Sequence, residues 1–308
     1  MKVKSVLSVL AISALMLTRA AAAEIDIGDY VKMGFYNESE ILWRCVGEDD
    51  NGKLLMSDEI LTLKAFDGKG EHENDYRSYR KNHGSNLWET SNLRSWLNSD
   101  AEAGGVVWLC GNAPAASAVW GGYNAYDKEA GFLNGFTDTQ KNAVKEVEQK
   151  QLLGVRDAVF GKKAIGGTEP HISYSCTVEN VLANYDRAYF YTLRDKMFVL
   201  DVKQVNEVYK NSEILGEKYY LGKLSAECAE QSEYKYGVKP GANWYSWLRT
   251  PYGVTINNET VRIIWTDANA DRASAKTSYI GVRPAFYLAD DADFAAGDGT
   301  RENPFEIR

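Results

Sequence analysis

Alternating apolar and polar positions predict three short strands early in the chain. Residues 30–36, 40–48 and 53–57 have the spacing and the aliphatic and aromatic content of strands. The breaks between them are polar. The second break, at residues 49–52, contains the Asn-Gly pair that favours a tight hairpin turn. We therefore expect an antiparallel meander in this region.

Apolar positions spaced three and four residues apart predict two short helices in the middle of the chain. The first lies within residues 88–98, where Thr90 or Ser91 can cap it. Its apolar face is formed by Leu93, Trp96 and Leu97. The second begins at a capping box of Thr137 and Gln140. This helix is expected to end near Gly154, with an apolar face formed by Ala143, Val144 and Val147.

The C-terminal part of the chain is predicted to return to strands after two more short helices. One helix starts at Asp201 with Gln204, and the other starts near Ser225. The predicted strands are 244–249, 253–256, 259–265 and 279–288, with Asn257-Asn258 as a tight turn. The pattern indicates an α+β fold in which antiparallel sheets carry short flanking helices.

The first 23 residues have the pattern of a secretory signal peptide. A basic start with Lys2 and Lys4 is followed by an apolar run, and Ala21-Ala22-Ala23 matches the small-residue cleavage pattern. We expect cleavage after Ala23 and a secreted or periplasmic protein. Because this segment carries three cations and no acids, its removal changes the formal charge from −8 to −11.

The acidic charge excludes some classes of partner. Nucleic acid and anionic membrane surfaces both require a basic face. No later segment is apolar enough for membrane insertion after signal cleavage. Residues 24–308 are interpreted as a single domain, with insertions near 99–131 and 155–187.

Common catalytic and metal-binding patterns are absent from the sequence. There is no H-E-x-x-H, no G-x-S-x-G and no glycine-rich phosphate loop. The cysteines show no metal spacing, and their pairing is left open: Cys45, Cys110, Cys176 and Cys228. Cys176 is close to His171 along the chain, which is interpreted as incidental. No cofactor is expected. Calcium is left open without support, because the acidic run at 290–300 lacks the spacing of an EF-hand calcium loop.

Aromatic and arginine residues are concentrated in two of the predicted strands. In an extended WYSWLR, alternate side chains face opposite ways, so that each face carries a tryptophan. Large aromatic rings usually bury their area, and arginine forks onto carboxylates or carbonyls. We therefore interpret five residues as structural framework: Trp96, Trp244, Trp247, Arg249 and Arg283.

A series of segments resembles a widespread bacterial domain family of unknown function over about residues 28–307. In order, the segments are VKMGFYNESEILWRCV, KLLMSDEIL, LWETSNLRSWLN, GFLNGFTDTQKNAV, DKMFVLDVKQV, WYSWLRTP, GVRPAFYL and GDGTRENPFEI. The WLR and GVRPA strands also resemble the end of C-type-lectin-like (formylglycine-generating-enzyme-like) domains. That resemblance implies a compact C-type-lectin-like α+β fold with adjacent termini and a ligand-facing loop region.

By position, the corresponding loops lie within residues 250–280. The candidate ligand-binding residues there are Tyr252, Trp265, Asp267, Asn269, Asp271 and Arg272. The first hypothesis is a secreted, non-catalytic module that binds a glycan, peptide or cell-surface protein through these loops. The alternatives are an exported hydrolase acting on envelope or dietary polysaccharide, and a purely structural envelope protein. The late cysteine pair of formylglycine-generating enzymes is missing, so that activity is not implied.

Overall fold

The structure is a computed structural model that describes residues 24–70, 78–109, 112–160, 164–253 and 259–307. In these ranges the strands are β1 (Tyr30–Tyr36), β2 (Ser39–Asp49), β3 (Gly52–Ser57), β4 (Thr62–Leu63), β5 (Val144–Lys145), β6 (Val147–Leu152), β7 (Phe190–Asp195), β8 (Ser246–Pro251), β9 (Thr260–Ile264), β10 (Ala270–Ser274), β11 (Gly281–Val282), β12 (Ala285–Leu288), β13 (Phe294–Ala296) and β14 (Phe305–Ile307). The helices of the same ranges are α1 (Ser78–His83), α2 (Asn92–Leu97), α3 (Asp138–Ala143), α4 (Val155–Phe160), α5 (Val202–Lys210), α6 (Ser212–Leu215) and α7 (Ala226–Gln231).

The predicted N-terminal meander is confirmed as β1, β2 and β3. Tyr36 pairs with Ser39, so that β1 and β2 are joined by a two-residue turn of Asn37 and Glu38. Both turn residues have positive φ, 50° and 63°, which matches the right-handed twist of a hairpin. Asp49 pairs with Gly52 to close the second hairpin.

The described strands form two main sheets and one separate hairpin. The larger sheet has the order β13-β14-β1-β2-β3-β12-β5, and the smaller has the order β10-β9-β8-β11-β4. β6 and β7 pair only with each other. The predicted antiparallel pairing is correct for most neighbours, but β1–β14 and β8–β11 are parallel. With few and short helices, the fold is α+β with mixed sheets.

The predicted strand at 279–288 is divided between the two sheets. Gly281 and Val282 form β11 in the smaller sheet, and Ala285 to Leu288 form β12 in the larger one. Pro284 lies at the break, where its missing N–H cannot continue a ladder. This segment therefore connects the two sheets across the core.

The predicted helix from Thr137 to Gly154 is wrong beyond its first turns. The capping box of Thr137 and Gln140 is present, but α3 ends at Ala143. Val144 then pairs with Leu288 in β5. The β-branched valines gain sheet pairing that a longer helix would lose, and the tertiary partner decides the conformation.

The other predicted helices are confirmed, with side-chain caps at their first residues. Ser91, Asp201 and Ser225 each accept a hydrogen bond from the backbone N–H three residues later, in α2, α5 and α7 respectively. These caps satisfy N–H groups that no helical carbonyl can reach.

The core between the sheets is rich in aromatic rings whose polar atoms are hydrogen-bonded. The indole N–H of Trp43 donates to the Met33 carbonyl at 2.7 Å, and that of Trp247 donates to the Lys64 carbonyl at 2.8 Å. Trp43 meets Phe286 edge to face at 4.9 Å. Rings from several segments thus fix the relative position of the sheets.

Three of the four cysteines lie in the described residues, and they are free thiols: Cys45, Cys176 and Cys228. Cys110 lies outside the described residues, as do the signal segment and most of the predicted 253–258 strand and turn. In the portion of the chain that the structure describes, no helix has the length and apolarity needed to cross a bilayer.

Candidate functional site

The residues interpreted as framework lie in the interior. The exposed fraction of their side chains and backbone is at most 7% for Trp96, Trp244, Trp247, Arg249 and Arg283. Arg283 donates to the carbonyls of Ser57, Asp58 and Tyr219 at 2.7–2.9 Å. Each guanidinium nitrogen donates to a backbone carbonyl, so that Arg283 holds these loops together.

The six candidate residues of the 250–280 region fall into separate local contacts. Tyr252 is buried, and its hydroxyl donates to the Ile172 carbonyl at 2.8 Å. The Arg272 guanidinium lies over the Tyr252 ring at 4.5 Å. Asp267 accepts from the backbone and side chain of Asn269 in an exposed turn. Burial raises the pKa of the half-buried Asp271 carboxyl.

Trp265, the sixth candidate, is 38% exposed and contacts a ring from outside this set. It stacks on Tyr245 with ring centroids 4.9 Å apart and planes at 20°. Tyr245 in turn meets Tyr279 at 6.0 Å, and Tyr279 stacks on Tyr234 at 4.6 Å. Tyr234 meets Tyr123 at 5.6 Å. We call these five rings the aromatic strip: Tyr123, Tyr234, Tyr279, Tyr245 and Trp265.

Every ring of the aromatic strip comes from a different segment, and each retains exposed surface. Tyr245 precedes β8, Trp265 follows β9 and Tyr279 precedes β11. Burial, followed by the neighbouring Tyr234 hydroxyl, raises the pKa of Tyr279. The strip is therefore an uncharged, partly exposed aromatic surface carrying phenol groups that donate and accept hydrogen bonds.

Asn124 fixes the end of the aromatic strip at Tyr123 and Tyr234. Its side-chain oxygen accepts from the Glu233 backbone N–H at 2.9 Å, and its side-chain nitrogen donates to the Ser278 carbonyl at 3.1 Å. Asn124 has a φ of 52°, a backbone conformation that asparagine tolerates better than most residues. Three loops are therefore joined at one side chain.

A cavity of about 600 Å³ adjoins this end of the strip, because Asn124 and Glu233 line it. We call it the Lys64 cavity. Lys64 is 3% exposed, forms an ion pair with Glu129 and lies 4.7 Å from the centroids of the Trp96 and Tyr126 rings. The cavity therefore contains a fixed pair of opposite charges against aromatic walls.

The Glu129 carboxylate also accepts a hydrogen bond from the Tyr36 hydroxyl at 2.7 Å. Burial, followed by the nearby Glu129 carboxylate, raises the pKa of Tyr36 well above its usual value. Burial likewise raises the pKa of the Cys228 thiol, which lines the same cavity, to about 12. At neutral pH both groups are protonated, so that Cys228 is a poor nucleophile. The arrangement is suited to holding polar groups of a ligand.

A second cavity, of about 390 Å³, shares Tyr36 and Asn37 with the Lys64 cavity. Two carboxylates with opposite shifts line it. Burial, followed by the Asp58 carboxylate, raises the pKa of Glu59. Hydrogen bonds from its own backbone N–H and then from Ser39 lower the pKa of Glu227. Opposite pKa shifts of two lining carboxylates are one feature of a general acid and its ionised partner in an active site.

His171 and Cys176 are in contact, with the thiol sulfur 3.8 Å from Nδ1 of the ring. Burial lowers the pKa of His171 and raises that of Cys176. Both shifts favour neutral groups and oppose a thiolate–imidazolium pair. Among the residues described, no group of three histidine, cysteine or acidic side chains could hold a metal ion.

Sequence reasoning identified one ring of the aromatic strip, Trp265, and not the other four as binding residues. The high tyrosine count of the chain, 19, is a signal of aromatic surface, but it does not identify the rings that form the strip. Only the contacts show which tyrosines lie side by side, since the strip draws on residues from 123 to 279.

One family model matches the chain, Domain of unknown function (DUF6273), over residues 50–290. No curated protein and no solved structure matches it.

Proposed function

The chain belongs to this family, DUF6273, and from its geometry we propose that it is a secreted, non-catalytic module that binds a glycan along the aromatic strip. The observation that carries the proposal is the unbroken series of four contacts that joins the five rings, with 4.6–6.0 Å between centroids. Sugar rings present C–H faces that stack on aromatic rings, and exposed aromatic surface of this extent marks interaction sites.

The Lys64 cavity supplies polar groups at one end of the strip. A glycan hydroxyl both donates and accepts hydrogen bonds, and Glu129, Lys64 and Asn124 offer acceptors and donors within one cavity. Binding sites usually combine apolar walls with a few convergent polar groups. In this proposal the strip receives the length of a glycan chain and the cavity receives one end of it.

The proposed fold is C-type-lectin-like. Two observations support this assignment: the WLR strand β8 and the GVRPA strand β11 are neighbours, and the N-terminal β1 pairs with the C-terminal β14. Both are expected for a domain of this kind with adjacent termini. The proposed export follows from residues 1–23, and N-terminal sequencing of protein made with its own leader should begin at Glu24.

The proposed glycan site is tested by Trp265→Ala and Tyr123→Ala. Binding to xylan, cellulose, chitin and peptidoglycan is measured by pull-down, and binding to their soluble fragments by calorimetry. Removal of either ring, at the two ends of the strip, should weaken binding about tenfold or more, because aromatic side chains carry much of the energy of such interfaces. Tyr209→Ala is the matched control, since Tyr209 is 37% exposed and lies on α5 outside the strip.

Equal binding by both strip variants and wild type would reject the strip as the site. Loss of binding by Tyr209→Ala alone would place the site on α5 instead. Absence of binding to every glycan tested would reject the glycan as ligand.

The alternative function is a hydrolase acting on polysaccharide, and the pair Glu59 and Glu227 is the specific observation that favours it. In that role Glu59, whose pKa is raised, would be the acid and Glu227, whose pKa is lowered, would be the base or nucleophile. Release of reducing ends from the same polysaccharides, abolished by Glu227→Gln but retained by Glu230→Gln on the exposed side of α7, would establish this activity. If the wild-type protein releases no reducing ends, the hydrolase is rejected and the binding module is retained as the proposed function.

A further inference from the structure

A third cavity lies away from the aromatic strip and has a volume of about 380 Å³. It is bordered by the end of β2, by β6, by the first turn of α5, and by single residues of β8 and β12. We call it the Arg249 cavity, because the Arg249 guanidinium is the centre of its hydrogen bonds.

Arg249 is 3% exposed and is held by two glutamines. Its Nη1 donates to Gln204 Oε1 at 2.8 Å, and its Nη2 donates to Gln149 Oε1 at 2.9 Å. Gln204 Nε2 also donates to Gln149 Oε1, at 3.1 Å. Asp201 lies 3.4 Å from Arg249 Nη2 and accepts from the Tyr185 hydroxyl at 2.7 Å.

Two donors of this network have no hydrogen-bond partner among the described residues: Gln149 Nε2 and Arg249 Nε. Both residues are at least 95% buried and line the cavity. Rotating the Gln149 amide by 180° would not help, because its nitrogen would then face the donors of Arg249 and Gln204. Buried donors without partners are rare in folded proteins and call for an explanation.

The charges of the lining restrict the ligand that would supply the missing acceptors. Five carboxylates and three cations line the cavity, so that a free anion would meet net negative charge. A hydroxyl group, in contrast, accepts from Gln149 or Arg249 and donates to a carboxylate such as Asp49 or Glu207 at the same time. The Lys150 ammonium already donates to the Tyr185 carbonyl at 2.8 Å.

We propose that the Arg249 cavity is a binding site for a small neutral polyol of monosaccharide size. The volume is within the range of small-molecule sites. Gln149 Nε2 and Arg249 Nε have almost no exposed surface in this structure, so that a small side-chain movement would bring them to adjacent hydroxyls of the ligand, which also donate to the surrounding carboxylates. This site is separate from the aromatic strip and does not depend on the function proposed for the strip.

The decisive variant is Gln149→Glu. It keeps the oxygen that Arg249 and Gln204 contact and replaces only the unpartnered nitrogen with an acceptor. The ligand therefore loses a hydrogen-bond donor, while the ion pair of Arg249 with Asp201 is kept. Binding of D-glucose, D-galactose, D-mannose and N-acetyl-D-glucosamine to the whole protein is measured by calorimetry. We expect wild type to bind at least one of them and Gln149→Glu to bind it about tenfold more weakly or not at all.

Two further variants make the test specific. Gln140→Glu makes the same chemical change at the capping box of α3, where glutamate also caps, and should bind as wild type does. Glu207→Ala removes an exposed carboxylate of the lining and should weaken binding severalfold, even if Gln149→Glu fails to fold. Trp265→Ala should leave this binding unchanged, which separates it from binding at the strip.

The proposal is overturned if none of the four sugars binds, or if Gln149→Glu and Glu207→Ala both bind as wild type does. It is also overturned if inorganic phosphate or acetate binds and the neutral sugars do not. Sugar binding that is lost in Trp265→Ala but kept in Gln149→Glu would belong to the aromatic strip and would equally exclude the Arg249 cavity.

Discussion

Individual buried polar residues set the pH range in which this protein is stable. Asp67 has no exposed surface and accepts hydrogen bonds from the backbone N–H groups of Ser85 and Asn92. Burial nevertheless raises the pKa of Asp67 to about 7, since the hydrogen bonds compensate only part of the lost hydration. Ionisation of this carboxyl therefore destabilises the folded state relative to the unfolded chain.

A raised pKa in the folded state has a defined consequence for stability. The folded protein binds this proton more tightly than the unfolded chain, so the contribution of Asp67 is fully present below pH ~4 and is lost as the pH rises to about 7. We expect Asp67→Asn to show a smaller fall in the free energy of unfolding over this pH range. Urea unfolding of both proteins at several pH values measures it, and parallel curves would contradict the assignment.

At the scale of single elements, side-chain caps determine where several helices begin, and in α3 a sheet partner determines where the helix ends. The Ser225 hydroxyl accepts the Cys228 N–H at 3.0 Å and starts α7, which carries Cys228 and Glu227 toward the two cavities beside Tyr36. α3 begins at an equally clear cap but ends at Ala143, where β5 begins. Initiation is a local property, whereas termination here depends on strand β12.

The cap of α7 is tested by Ser225→Ala. Loss of the side-chain acceptor should reduce the free energy of unfolding by about 1 kcal/mol, the usual value of an N-cap. Ser212→Ala is the control, because Ser212 is the first residue of α6 and that helix has no side-chain cap. Chemical denaturation measures both, and an equal effect of the two substitutions would show that the cap of α7 contributes nothing specific.

At the scale of the whole molecule, the buried Arg283 and the partly buried Arg44 connect segments that are far apart in sequence. Arg283 joins the end of β3 to the loop before α7 through three backbone carbonyls. Arg44 reaches the carbonyls of Gly28 and Leu215. Because each guanidinium satisfies several carbonyls at once, the end of α6 at Leu215 and the loop that carries Tyr219 are both held in place.

We expect Arg283→Lys to destabilise the protein by about 2–4 kcal/mol. Lysine cannot reach three divergent carbonyls, and buried acceptors without partners cost about 1–3 kcal/mol each. Arg301→Lys is the control, since the Arg301 side chain is 53% exposed and its ion pair with Asp58 needs only one charge. Denaturant midpoints compare the two, and a loss under about 1 kcal/mol for Arg283→Lys would contradict this role.

The sequence by itself determined the features that depend on neighbours within a few residues. The hairpins of β1 to β3 and the caps at Ser91, Thr137, Asp201 and Ser225 follow from turn and capping chemistry that acts over three or four positions. The mixture of strands and short helices follows from the same local patterns.

Only the tertiary structure decided which segments meet. The division of residues 279–288 between two sheets, the end of α3 at Ala143 and the parallel pairing of β1 with β14 all depend on partners distant along the chain. The aromatic strip and the Arg249 cavity are likewise assembled from separate segments, so that no window of sequence contains either of them. Local patterns fix the direction of a side chain, but the identity of its neighbour is fixed by the packing of the sheets.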